Sequence, residues 1–511
     1  MKSLLAVKAL RRMLQWVAGG TGWVGVVAGA AIINVSPGDS YAKIESARAG
    51  DEVVIAPGNY SFRVYLTAQG TASRPIVIRA QDPARPPVWD FGSTLVENAP
   101  GSYGAGDRGR GGWQFSGAKH YRVSGIVFRN CRTAERNSAG IRYYNGTINL
   151  YLKDCVFTGN DNGLTGGSQE SEATVEFCEF ATNGNVSASS PTHNLYIYGG
   201  TLTLRYCYVH DSVQAQNFHL RTRTATLEYN WFARAKSYEG DLMTDDDFSG
   251  TGPFSQTLTM RGNVIVQGTA PDNHSQVVAL FNDTGLANLT LSVRAVHNTF
   301  IGNGGNAAFV HLSNADGTRM DAEEANNIIF GTTRPALIEK TNQALVTGVN
   351  NWLVTNAVVG SLRGSVQSAT PGFRNSAGQD YRLTPNSVCL GAASGTVTEL
   401  PGREYYLNEA TNRQWRVRAA ARDLGAYEST TTTQPVRPYD APPQPRLSLE
   451  RSGAGVWVRW PLFAQDYRLE QADWADPATW TAVGFPYATG VTGLSVSQPL
   501  MANGACFRLR R

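Results

Sequence analysis

Charge is what this 511-residue chain has little of. Asp, Glu, Lys and Arg make up 17% of it, against about a quarter in ordinary soluble proteins. No concentrated basic tract accompanies the net charge of +4, so composition gives no case for nucleic acid as a partner. Cysteine is scarce too, and three of the six, Cys155, Cys178 and Cys207, fall into a repeat register that argues for stacked buried thiols over bridges. Beyond the N-terminus no long apolar run occurs, so no further transmembrane helix is expected. Apolar residues at helical spacing are missing from the repeats as well. What is abundant is glycine, 53 residues, in short strand-like segments punctuated by turns.

The first 31 residues read as an export signal. Lys2, Lys8, Arg11 and Arg12 precede an apolar stretch that ends in Ala28-Gly29-Ala30, an A-x-A cleavage pattern. A retained anchor is the alternative reading. Residues 32–428 read as one repetitive domain with a short N-terminal cap. Residues 429–445, T-T-T-T-Q-P-V-R-P-Y-D-A-P-P-Q-P after Ser429, read as an extended linker. Residues 446–511 carry strand patterns such as V-W-V-R-W and C-F-R-L-R and read as a small β-sandwich. Its Trp457, Trp460, Trp474 and Trp480 belong either to its core or to a sugar-stacking platform.

The repeat places Gly125, Cys155, Cys178, Cys207, Asn230, Asn263, Asn298, Asn327 and Asn351 in one column, at intervals of 23 to 35 residues. Periods of this size mark solenoids. Strand-type alternation within each unit selects a right-handed parallel β-helix, an all-β fold. Equivalent residues then stack about 4.8 Å apart, so buried Asn side chains can bond along the column, and Cys can take the same slot. A second column, Ile141, Leu164, Leu195, Phe218, Leu242, Val277, Phe309 and Leu337, is expected to point inward. After Asn351, segments such as Asp380-Tyr381-Arg382-Leu383 and Asp423-Leu424-Gly425-Ala426-Tyr427 read as closing coils.

In residues 192–248 the positions flanking the inward column turn aromatic, basic and acidic. Alternation puts Asn194, Tyr196 and Tyr198 outward on one coil. Asn217, His219, Arg221 and Arg223 follow on the next, and Asp241, Met243, Asp245 and Asp247 on the third. The expected stacks are Tyr196–His219–Met243, Tyr198–Arg221–Asp245 and Arg223–Asp247, with Lys236 in the turn between the last two coils. Such a face suits an acidic polysaccharide. Tyrosines stack on sugar rings, guanidinium groups match carboxylates, and the imidazole of His219 can carry a proton. Asp245 and Asp247 are candidate ligands for Ca²⁺, the one cofactor considered. An exterior salt-bridge ladder with no role in chemistry is the competing reading of the same residues.

The repeats resemble the right-handed parallel β-helix proteins of the pectate-lyase-like superfamily. The opening, Gly50-Asp51 through Pro57-Gly58-Asn59-Tyr60, and the closing D-Y-R-L-T-P and D-L-G-A-Y-E are similar to those of secreted bacterial members. These include chondroitinase-B-like polysaccharide lyases. The resemblance covers roughly residues 33 to 428, and implies a secreted, periplasmic or cell-surface bacterial protein, free of the membrane once the signal is removed. It does not carry over a catalytic set. The N-G-x-E segment of chondroitinase-B-like lyases, the W-x-D-H of pectate lyases and the N-T-D and G-H-G of polygalacturonases are all missing.

Three functions stay open. A lyase acting on a uronate glycan would draw its catalytic groups from His219, Arg221, Arg223, Lys236, Tyr196 and Tyr198, with Asn194, Asn217 and Asp241 binding substrate. A glycoside hydrolase would use two carboxylates from Glu239, Asp241 and Asp245–Asp247. A binder or surface-structural protein would need neither.

Overall fold

The computed structural model describes residues 29–511 except 93–110, 134–136, 189, 246–253, 270–275, 285–287, 304–306, 314–317, 340–342, 412, 454, 475, 485, 500–503 and 511. The export signal up to residue 28, and Asp246 and Asp247, therefore lie outside the described residues.

The chain winds into a parallel β-helix. Each coil supplies short strands that pair in parallel with the equivalent strands of the coils before and after it. Strands such as Val156–Thr158, Glu179–Ala181, Tyr208–His210 and Trp231–Ala233 stack into a 12-stranded sheet, the back face. A 20-stranded sheet supplies the other two faces. The front face runs through Ala139–Tyr144, Gly240–Met243, Gln276–Phe281 and Ala308–Ser313; the side face runs through Tyr121–Ser124, Leu150–Lys153, Phe254–Arg261 and Leu289–Val296. Three long strands, Asn162–Glu176, Leu195–Arg205 and Phe218–Glu228, turn the corner and belong to both. Inward side chains fill the interior and stack from coil to coil. Phe128, Phe157 and Phe180 form one such pile, with ring centroids 5.2 and 4.6 Å apart.

The polar column expected from the sequence sits at the bend between side and back faces. Asn230, Asn263, Asn298, Asn327 and Asn351 are fully buried. From Asn263 on, each amide oxygen accepts from the Nδ2 of the preceding member at 3.0 to 3.1 Å and from its backbone N–H, while Asn230 Oδ1 accepts the Cys207 N–H at 2.9 Å. Cysteine takes the slot at the upper end, where the Cys155 N–H meets Cys178 Sγ at 3.4 Å and the Cys178 N–H meets Cys207 Sγ at 3.3 Å. All six cysteines are free. The first member of the column is Ile126, not Gly125, because Val127 pairs with Val156. Gly125 instead heads the neighbouring column of left-handed residues, in which Asp154, Phe177, Tyr206, Tyr229, His297, Asn326 and Asn350 all have φ between 52 and 59°. That bend is imposed on non-glycine residues at a cost, and the amide bonds beside it offset the strain.

Past Ser368 the chain does not close further coils. Phe373–Asn375 and Asp380–Leu383 form a hairpin, and Arg403–Tyr405, Trp415–Val417 and Pro435–Val436 form an antiparallel sheet. Tyr381, Tyr405 and Tyr427 from this stretch cover Tyr208, Trp231 and Val264 of the back face. Those large side chains on the outer surface of the helix need such a cover. Residues 448–510 form two antiparallel sheets, of four and three strands, as expected of a small β-sandwich. Of its tryptophans only Trp460 is core, 2% exposed. Trp457 and Trp480 sit under Arg459 and Arg508 on different sheets, and Trp474 is exposed, so the four make no single platform.

Candidate functional site

The register of the central strands differs from the expected one by two residues. Leu195 pairs with Phe218 as expected, but Phe218 then pairs with Gly240 and not with Leu242. Gly240 occupies an inward position that the Phe218 ring has filled. A Cβ there would stand 2.0 Å from that ring. With no apolar side chain to mark the inward slot, the sequence pattern locks onto Leu242 instead. The outward stack is therefore Tyr196–His219–Asp241. The pairing Tyr198–Arg221 holds.

This correction brings an acid to the histidine. His219 Nδ1 lies 2.7 Å from Asp241 Oδ1, a close contact whose atoms meet off the hydrogen-bonding line. Asp241 is fully buried, and its other oxygen accepts the Tyr238 hydroxyl at 2.9 Å. Burial, then the adjacent Asp241 charge, push the Tyr238 phenol far up, so it stays a donor. On the opposite edge of the imidazole, Arg221 Nε approaches His219 Nε2 at 3.3 Å. The Arg221 fork is held by the Asp283 carboxylate and by the carbonyl of Thr244, 2.5 Å away. Asp283 is pulled two ways. Burial raises its carboxyl, and Arg221, through hydrogen bonds and charge, outweighs that and holds it below the ordinary range.

Aromatic rings wall the same spot. His193 stacks face to face on His219 with centroids 4.6 Å apart, and Tyr196 meets His219 edge-on at 4.8 Å. Tyr198 follows Tyr196 at 5.9 Å. Burial first, and then the neighbouring His219, lower His193 well below an ordinary histidine, so it stays neutral. Tyr196, Tyr198 and Arg221 are half-buried and Arg223 is exposed at the end of the row.

All three expected substrate contacts, Asn194, Asn217 and Asp241, are removed from the surface. Asn194 and Asn217 are fully buried in a second amide ladder, at the bend between back and front faces. It runs from Asn160 through Asn183, Asn194 and Asn217 to Glu239, with links of 2.9, 2.8, 2.7 and 2.7 Å. Both residues precede an inward position, and the bend turns them in where an unbroken strand would turn them out. Glu239 closes the ladder with no exposure, and burial lifts its carboxyl to about 7. Asp241 is likewise buried and reaches the site only through His219 and Tyr238. Lys236 sits half-buried in the turn, its N–H donated to Ser212 Oγ at 3.2 Å.

Of the calcium pair only Asp245 is described. It is 2% exposed, and its Oδ2 accepts the Gly199 N–H at 2.7 Å. Among the described residues no three His, Cys, Asp or Glu gather closely enough to hold a metal ion. Among the described residues Asp245, engaged with Gly199, has no cluster of carboxylates beside it to complete an oxygen cage. His193, Tyr238 and Asp283 are the members that pattern reading missed. His193 lies in the H-N-L-Y-I-Y-G segment, but only the coil-to-coil stacking shows that it backs His219.

A parallel β-helix carrying an aromatic, histidine and arginine patch is thus the class that fold and site define. No protein-family model matches the chain, and no curated protein does. Solved structures do. Pectate lyase Pel9A is similar at 14% identity over 79% of this chain and 97% of that one, with a TM-score of 0.48. An alginate lyase from Paenibacillus sp. is 14% identical over 61% of this chain and 99% of its own, with a TM-score of 0.42. A tailspike protein of an Acinetobacter baumannii bacteriophage, a capsular polysaccharide depolymerase, covers 94% of this chain and 83% of its own at 12% identity and a TM-score of 0.35. The likeness is one of fold alone.

Proposed function

We propose that this chain is an exported polysaccharide lyase that cleaves a uronic-acid-containing glycan by β-elimination at the Tyr196–His219 patch of the front face. The observation that carries the reading is the setting of His219, with Nδ1 against a carboxylate and Nε2 facing an N–H donor. Nε2 accepts the Arg221 Nε–H, which leaves the ring proton to Nδ1, the tautomer assigned from this partner. That is the form a general base needs.

β-Elimination requires a base for the C5 proton, a cation at the uronate carboxylate and a proton for the leaving O4. His219 Nε2 takes the C5 proton as the long Arg221 Nε–H bond to it, 3.3 Å, gives way. The C–H electron pair becomes the C4=C5 double bond as the C4–O4 bond breaks. Tyr196 or Tyr198, half-buried on the adjacent coil, protonates O4. Arg223, exposed two positions beyond Arg221, meets the carboxylate, while Arg221, tied to Asp283, keeps His219 in place. Lys236 is the weaker candidate for the base, since it lies in the turn and not on the outward stack. A hydrolase would need two carboxylates facing one glycosidic bond. The described ones are otherwise engaged, Asp241 with His219 and Tyr238, Glu239 in its ladder and Asp245 on Gly199.

The test is ultraviolet absorbance of unsaturated products from a panel of uronate polysaccharides, with calcium and with chelator. Wild type is expected to produce them, and His219→Ala to slow the reaction about a hundred- to ten-thousandfold. New reducing ends without absorbance would replace the lyase with a hydrolase. Binding of glycan with neither product would leave the face a recognition surface only. Loss of product in chelator would bring the acidic run Asp245–Asp247 into the mechanism.

A further inference from the structure

On the side face, away from the His219 stack, a groove of about 720 Å³ lies between the coils and the segment 436–443, which crosses over them. Its volume is in the range of built ligand sites. Its floor is a run of successive rungs, in which Arg122 pairs with Tyr151, Tyr151 with Thr174, and Lys153 with Glu176. At about 4.8 Å per step, these three coils extend some 10 Å along the helix axis. Tyr467 of the sandwich also lines it.

The charge of this groove is unbalanced. Five lining side chains are Arg or Lys and two are Glu or Asp. Both acids are already engaged. Glu176 takes the Tyr151 hydroxyl at 2.5 Å and the Arg205 guanidinium, and Asp440 takes the Arg437 N–H at 2.8 Å. Lys153 stands over the rings of Phe177 and Tyr439, 5.8 and 5.3 Å from their centroids. Arg122 and Arg437 are exposed and make no ion pair among the described residues. Two unpaired guanidinium groups beside paired acids form a site for an anion. Tyr151 and Tyr467 add half-buried ring faces, and Asn149 and Thr174 add hydrogen-bonding groups of the kind that meet sugar hydroxyls.

We propose that this groove is a second saccharide site, which binds a short acidic oligosaccharide through Arg122 and Arg437 and holds the glycan beside the front face without cleaving it. The acidic-glycan ligand class is shared with the lyase reading, while the site itself rests on the groove. A planar lipid surface does not fit a channel bridged by residues 436–443, and a charge-only site would not need the tyrosines.

Calorimetric titration with a defined acidic oligouronate tests it, in a His219→Ala background that prevents turnover. Two binding events are expected. Adding Arg122→Ala and Arg437→Ala, both at exposed positions where substitution leaves folding intact, is expected to remove one event or weaken it at least tenfold. Adding Tyr196→Ala and Arg223→Ala instead removes the other. An unchanged isotherm in the Arg122→Ala/Arg437→Ala protein overturns the groove site and leaves the front-face reading standing. A single event that this pair abolishes supports the groove and counts against the front face. Equal binding of a neutral oligosaccharide, or binding of anionic lipid vesicles in place of the oligouronate, also overturns the proposal.

Discussion

Glu324 is the residue least at ease in this protein. It points into the interior between Ala295 and Gly348 of adjacent coils, is fully buried, and neither carboxylate oxygen has a hydrogen-bond partner. Burial raises its carboxyl from 4.5 to about 8. The unfolded chain ionises this group near 4.5, while the folded chain keeps it protonated up to about 8. Its contribution is therefore most favourable below the unfolded value and is lost as pH rises through that window, by an amount on the order of several kcal/mol. Glu324→Met is expected to raise the melting temperature at pH 8 and to flatten the loss of stability between acid and alkaline buffer, as read by circular dichroism. Equal pH dependence in variant and wild type would mean that the carboxylate finds a partner on ionising. At the same scale, His219 shows where residue-level reading fell short. Its identity and outward position were legible in the strand alternation. Its partner was not, because the alternation assigns Asp241 to another row.

The defining element is the amide ladder. It was legible because a polar residue that recurs once per coil, among apolar neighbours, marks a bend whose backbone needs the same partner at every turn. Asn263 uses every polar group. Its oxygen serves the N–H and Nδ2 of Asn230, and its own Nδ2 serves the Leu227 carbonyl and Asn298 Oδ1. Asn263→Ala leaves these partners unpaired inside the helix, at about 1–3 kcal/mol for each one that water cannot reach. Denaturant unfolding should show a loss of about 2–4 kcal/mol. Asn263→Cys should lose less, since a thiol already fills the slot at Cys207, where Sγ lies 3.3 Å from the Arg205 carbonyl. Equal losses in both variants would reduce the ladder to a matter of volume. The second ladder escaped the sequence because its members stand at uneven spacing, 23, 11, 23 and 22 residues apart. Asn194 and Asn217 read as outward strand positions only as long as the bend before each strand is ignored. Ion pairs, the competing reading of the front face, occur there as Arg221–Asp283 and His219–Asp241, and a longer ladder lies on the side face, where Glu176, Arg205, Glu228 and Arg261 alternate along one row.

For the molecule as a whole, the question is whether the sandwich is independent. Its core residues Val458, Trp460 and Leu469 belong to one cluster with Val296 and Ala325 of the helix and with Leu400 and Ala421 of the returning stretch. Arg403 joins the three parts, donating to Tyr206 at 2.8 Å and to the Phe463 carbonyl at 2.7 Å. A unit sharing its core with its neighbour unfolds with it. Scanning calorimetry is expected to show the sandwich melting within the main transition. A separate early transition, matched by proteolysis confined to residues 446–511, would sever that coupling.

The sequence by itself determined the solenoid, since a parallel coil repeats its demands at every turn, and nine aligned segments report the same bend. It also determined which stretch carries the unusual chemistry, because histidine, arginine and tyrosine on outward positions break the pattern locally. Only the tertiary structure decided the register of that stretch. Gly240 yields its inward space to Phe218, a ring from the coil before, and no periodicity within one strand can report a slot filled from another. It likewise decided where residues 369–445 go and what groove they bridge, for those contacts join side chains far apart along the chain and leave no repeating mark in it.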